Sequence, residues 1–102
     1  MYFFTLGPSE KDNKKIVVVI YDEKKRKKKT IHFGQVGYQD YLQHKDEERK
    51  QRYIDRHQAN EDWNDIFKAG FWSRWILWNK KDIRDSIEDV EQRFNLKRIK
   101  AY

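Results

Sequence analysis

The sequence predicts an α+β domain in which a small N-terminal antiparallel β-hairpin or three-stranded sheet precedes a cluster of short α-helices with a tryptophan-rich core. Three observations carry that reading. Runs rich in strand-forming residues, Tyr2–Leu6, Ile16–Tyr21 and Thr30–Phe33, fall within residues 1–37. From Tyr38 onward the apolar spacing is helical. Three of the four tryptophans lie in Ala69–Lys80, and aromatic side chains bury about 150–250 Å² each, enough to centre the core of a 102-residue chain.

Taken in order, Gly7-Pro8-Ser9 breaks the first strand. The six cations Lys24, Lys25, Arg26, Lys27, Lys28 and Lys29 separate the second run from the third, which places them at a hairpin tip. Like charges at a solvated tip also oppose edge-to-edge strand pairing. Gly34 and Gly37 punctuate the change to helix. Asp40 is placed to cap a short turn carrying Tyr41 and Leu42, and Asp46 to cap a helix from Glu47 to Gln58 with Arg56 and His57 in its last turn. That helix has little apolar content beyond Tyr53 and Ile54, so one narrow side packs and pairs such as Glu48 with Arg52 fill the rest.

Trp63, Ile66 and Phe67 begin another apolar turn, and Gly70 is expected to break one helical segment from the next. Phe71, Trp75 and Trp78 then fall at i, i+4 and i+7, with Trp72 and Ile76 beside them. With Trp63, these aromatics are read as core, or in part as a docking surface. Arg74 lies off the stripe, placed to stack on a ring or meet a carboxylate. Asn79 is expected to cap the last helix with Asp82 at N3, and Ile83, Ile87, Val90 and Phe94 form the stripe that covers the tryptophans. Residues 38–95 are thus a helical segment packed as one domain with 1–37, and 96–102 a basic tail.

Burial must come from a few large rings, because 37% of residues are hydrophobic and 39% charged while 16% are aromatic. The absence of cysteine excludes disulfides, thiolate metal sites and cysteine nucleophiles. The longest apolar run, Ile16–Tyr21, is far short of the roughly 20 residues a membrane span needs, and the N-terminus has no signal-peptide pattern, so a soluble intracellular protein is expected. The net charge of +6 resides in Lys24–Lys29, without which the balance is zero.

No chemistry is disclosed. His32, His44 and His57 are isolated, Gly34-Gln-Val-Gly37 lacks the pattern of a phosphate loop, and Ser73 and Ser86 have no histidine near in sequence. Neither an enzyme nor a cofactor is expected. The lysine run is the one polar feature with a sharp functional reading: salt-sensitive contact with nucleic acid, docking on an acidic protein, or a localisation signal, beside its plain role as a solvated tip. No aromatic residue interrupts it, so stacking on single-stranded bases is not indicated.

Two segments, His44-Lys-Asp-Glu-Glu-Arg-Lys-Gln-Arg-Tyr-Ile-Asp-Arg-His57 and Ala69-Gly-Phe-Trp-Ser-Arg-Trp-Ile-Leu-Trp-Asn-Lys80, with Trp63 between them, resemble a family of small proteins of nucleocytoplasmic large DNA viruses. The likeness spans roughly Gly34 to Phe94, and the ordered tryptophans around Ser73-Arg74 are its specific part. Glu47 and Lys81 stand where that family carries proline, and Lys68 where it carries threonine, departures that bear on the helix boundaries. The resemblance implies a virion component, minor capsid or capsid-associated, found in the virion and in the host cytoplasm during assembly. Its partners would be other capsid or virion proteins, with viral DNA as the alternative. The N-terminal β segment lies outside the likeness and is expected to be particular to this branch.

Overall fold

Alternation along the first 35 residues builds one face of a sheet. In the computed structural model, which describes residues 1–99, the strands are β1 (Tyr2–Pro8), β2 (Lys14–Tyr21) and β3 (Lys27–Gln35), joined as an antiparallel meander. Register pairs Leu6 with Val18 and Val18 with Ile31, and Phe4 with Ile20. These five side chains, with Phe33, share one face and are all buried. A fourth strand, β4 (Leu96–Arg98), lies parallel to β1, giving the order β3-β2-β1-β4, and the Ile99 amide extends the pairing to the Phe4 carbonyl at 2.8 Å. The chain is α+β with a mixed sheet. The first half of the expected basic tail is therefore sheet edge, and residues 100–102 lie outside the described residues.

The strands run further than apolar content alone implies. β1 continues through Gly7 and Pro8, because Pro8, the last residue of β1, asks little of the ladder there. β3 begins at Lys27, so the hairpin tip is Asp22–Arg26, not the whole basic run. Asp22 organises that turn: its carboxylate accepts from the Lys24 and Arg26 amides, each at 2.9 Å, and from Arg26 Nε at 3.0 Å. The Arg26 amide and guanidinium together hold its carboxyl below the usual range.

The sheet's inner face is covered by residues from 71–94, while the first two helices pack beside them. α1 (Tyr41–His44) starts at Asp40 with a full capping box, and α2 (Glu47–His57) at Asp46, whose carboxylate accepts from the Glu48 and Arg49 amides. Residues 58–68 then form an irregular connection. Three indoles pin it: Trp72 Nε1 donates to the Ile66 carbonyl, Trp75 Nε1 to that of Trp63, each at 2.8 Å, and Trp63 Nε1 to Glu61 at 2.9 Å.

α3 (Ala69–Trp72) opens directly into a π-helical turn, Ser73–Leu77. Gly70 lies within α3 and makes no break. A Cβ there would stand 2.8 Å from Glu61 Oε1, the end of a side chain. The wide turn corrects the expected stripe as well. With i→i+5 bonding, Phe71 stacks over Ile76 and Trp72 over Leu77, and these four are buried, while Trp75 and Trp78 are half-buried. A 3.6-residue period cannot show that pattern.

α4 (Ile83–Phe94) is capped by Asp82, which accepts from the Arg84 amide at 2.8 Å, and not by Asn79. The Asn79 amide is committed to Asp89 at 2.8 Å, bridging the π turn to α4. Ile87 and Val90 bury against the core, with Phe94 packed on it, but Ile83 at the helix start is exposed. Asn95, in the left-handed conformation at φ 53°, ends α4 and turns the chain into β4.

Candidate functional site, a basic cleft

Where β3 passes α2, the two leave a cleft of about 630 Å³ between them. One wall is the end of the sheet: Lys14 and Lys15 at the start of β2, and His32–Gln35 of β3. The other is α2, which contributes Arg49, Arg52 and Arg56. Their spacing of three and four residues puts them on one helix face, held by the buried Tyr53. The floor is Gly70, Ser73, Leu77 and Trp78.

The floor is rigid. Tyr53 stacks parallel on Trp78 with centroids 4.3 Å apart, and His57 covers it at 4.4 Å. Burial pushes the Tyr53 phenol well up. His44 leans on Trp78 at 5.3 Å, accepts the Asp46 amide on Nδ1 at 3.0 Å, and buries an Nε2 that has no partner among the described residues. Burial, reinforced by Arg49, holds this imidazole below its ordinary value. Tyr41 donates to Glu47 at 2.8 Å, and burial with that hydrogen bond raises its phenol to about 12. Gly34 is required where β3 crosses the π turn: its φ is +81° and a Cβ would stand 2.9 Å from Leu77 Cδ1.

Five cations line the cleft against two carboxylates, Asp40 and Glu61, and both carboxylates are engaged. Lys15 Nζ meets Asp40 at 2.7 Å and also donates to the Tyr38 carbonyl and to Gln43. Glu61 holds the Trp63 indole, with His57 at 3.7 Å. Among the described residues, Lys14, Arg49 and Arg56 make no ion pair, and Arg52 meets Glu48 only at 3.9 Å, with both side chains largely in solvent. The arrangement suits an oxyanion.

The residues singled out in the sequence are divided. Lys24, Lys25 and Arg26 sit in the tip, where Lys25 lies 5.2 Å over the Phe3 ring, whereas Lys27, Lys28 and Lys29 are on β3, with Lys29 Nζ donating to the Phe67 carbonyl at 2.9 Å. Phe71 and Trp72 are core, and only Trp78 reaches the cleft. Trp75 lies between two guanidinium groups, Arg74 at 4.3 Å and Arg93 at 4.5 Å, and Arg74 also faces Trp63 at 5.4 Å, the ring stacking expected of it. Sequence reasoning missed the cleft arginines. Their three-and-four spacing was visible, but it reads equally as a solvated face until β3 is placed opposite.

Residues 4–57 match the family of unknown function DUF5754. The match takes in all three N-terminal strands, α1 and α2, and so both walls of the cleft, and it ends before the tryptophan segment. Most of the N-terminal β segment is thus part of a pattern shared within that family. No curated protein and no solved structure matches the chain.

Proposed function

The chain belongs to the family of unknown function DUF5754, and we propose that this member is a structural component of a large double-stranded DNA virus particle, minor capsid or capsid-associated. It works by charge-led contact with neighbouring virion proteins. The observation that carries the contact is the placement of the lysine run: Lys27–Lys29 are exposed along β3, an edge strand, next to the exposed tip residues Lys24–Arg26. The viral setting rests on the resemblance of His44–His57 and Ala69–Lys80 to proteins of such viruses. In space the two segments are one packing unit, joined by Trp78 against His44 and Tyr53.

A second reading, non-specific contact with the viral genome, is favoured by a separate observation. β3 carries the lysines at one end and passes the basic cleft at the other, so two cationic patches stand at the two ends of a nine-residue strand, about 30 Å at the rise of a strand. That length matches about nine phosphates on one strand of a duplex. Mass spectrometry of purified particles through stepwise salt and detergent extraction tests both. Retention with the shell supports the capsid role, release with the DNA supports the genome role, and absence from particles sinks the two together.

A further inference from the structure

We propose that the cleft between β3 and α2 is a binding site for phosphate groups, with Arg49, Arg52, Arg56 and Lys14 as its recognition residues. The inference does not depend on where the protein works. Lys15 neutralises Asp40, whereas Glu61 keeps its charge while accepting from the Trp63 indole, so four cations face one carboxylate and the cleft is net positive. Three of the four cations are arginines on one face of a helix, and guanidinium forks pair with phosphate oxygens through two parallel N–H donors. The helix is anchored from below by the Tyr53–Trp78 stack, which fixes where those guanidinium stems emerge.

Tyr53 is buried, with Trp78 stacked on its ring at 4.3 Å and His57 against it at 4.4 Å. A nucleobase therefore finds no platform there, and the ligand is recognised by its phosphates. The lysine run is different in kind: Arg26 is tied to Asp22, and Lys29 to a carbonyl. Its ammonium groups hold a polyanion by charge alone.

The phosphates can come from a free polyphosphate or from a nucleic-acid backbone, and titration calorimetry with the full chain distinguishes the sources. The probes are inorganic tripolyphosphate, a mixed-sequence single-stranded oligonucleotide and a poly-glutamate peptide at matched ionic strength. Tripolyphosphate binding that falls at least tenfold in Arg52→Gln/Arg56→Gln, and less in Arg52→Lys/Arg56→Lys, supports the site. It should stay within twofold in Lys24→Gln/Lys27→Gln/Lys28→Gln. If only the oligonucleotide binds with the same arginine dependence, the site stands and its source is the backbone. Poly-glutamate binding as tight as that of the phosphates, loss of binding only in the lysine variant, or no binding of either phosphate probe overturns the proposal. Both substituted arginines are exposed, so melting curves matching the parent should accompany each titration.

Discussion

The segment Ala69–Lys80 turns two faces to two different tasks. Phe71, Trp72 and Ile76 face the sheet and are sealed against Phe4, Val18 and Phe33, Gly70, Ser73 and Trp78 face the cleft, and the buried Leu77 borders both. The first face is apolar throughout and sets stability. The second supports the α2 arginines and sets what the surface can hold. The π turn makes the division possible, because its extra residue per turn lets pairs five apart share the core and leaves Trp78 to reach Tyr53.

If the division is right, substitutions on the sheet face should cost most. Trp72 is fully buried, packs 5.0 Å from both Phe4 and Phe71, and holds the Ile66 carbonyl. Trp72→Ala should lose about 3–5 kcal/mol in denaturant unfolding, a large fraction of the roughly 5–15 kcal/mol of a domain this size. Trp75→Ala should lose visibly less, because that ring is only half-buried between Arg74 and Arg93. Equal losses would erase the distinction between the faces.

Gly34 sits where the faces meet. An alanine there adopts a left-handed φ and presses on Leu77, and the cost should be about 2–4 kcal/mol in the same assay. A neutral Gly34→Ala would show that β3 and the π turn are not in the close contact described.

Acid should weaken the cleft side through His44. Its folded-state value lies below the unfolded one, so the unfolded chain takes up the proton first as pH falls. The stability it contributes is present above about pH 6.5 and is lost below it, by at most about 1.4 kcal/mol per pH unit for one group. His44→Gln should flatten the pH dependence of unfolding between pH 7.5 and 5. An unchanged slope would remove His44 from the account.

The smallest expected effect is the sharpest contrast with Trp72. Arg52 and Arg56 are exposed, so Arg52→Gln/Arg56→Gln should change unfolding free energy by no more than about 0.5 kcal/mol. A larger loss would make the arginines structural.

Much of the sheet was legible because burial there follows a two-residue period: Phe4, Leu6, Val18, Ile20, Ile31 and Phe33 alternate as strands on one core must. The caps Asp40 and Asp46 were legible for the same local reason, a short carboxylate before a helical run. Three features were not. β4 has three residues, of which only Leu96 is buried, and its pairing with β1 is set by where α4 ends. Asn79 looked like a cap, but tertiary contact with Asp89 claimed it. The π turn has no local signature in Ser73–Leu77, and the cleft depends on it, so six adjacent cations drew notice while three spaced arginines did not.

If the cleft is the phosphate site, convergence in space, and not adjacency in sequence, selects that anion. Amide chemical-shift mapping of the uniformly labelled chain during titration with inorganic tripolyphosphate tests it most directly. Shifts should concentrate at Lys14, His32–Gln35 and Arg49–His57, the two walls of the cleft. Shifts confined to Lys24–Lys29, with those walls unmoved, would contradict it.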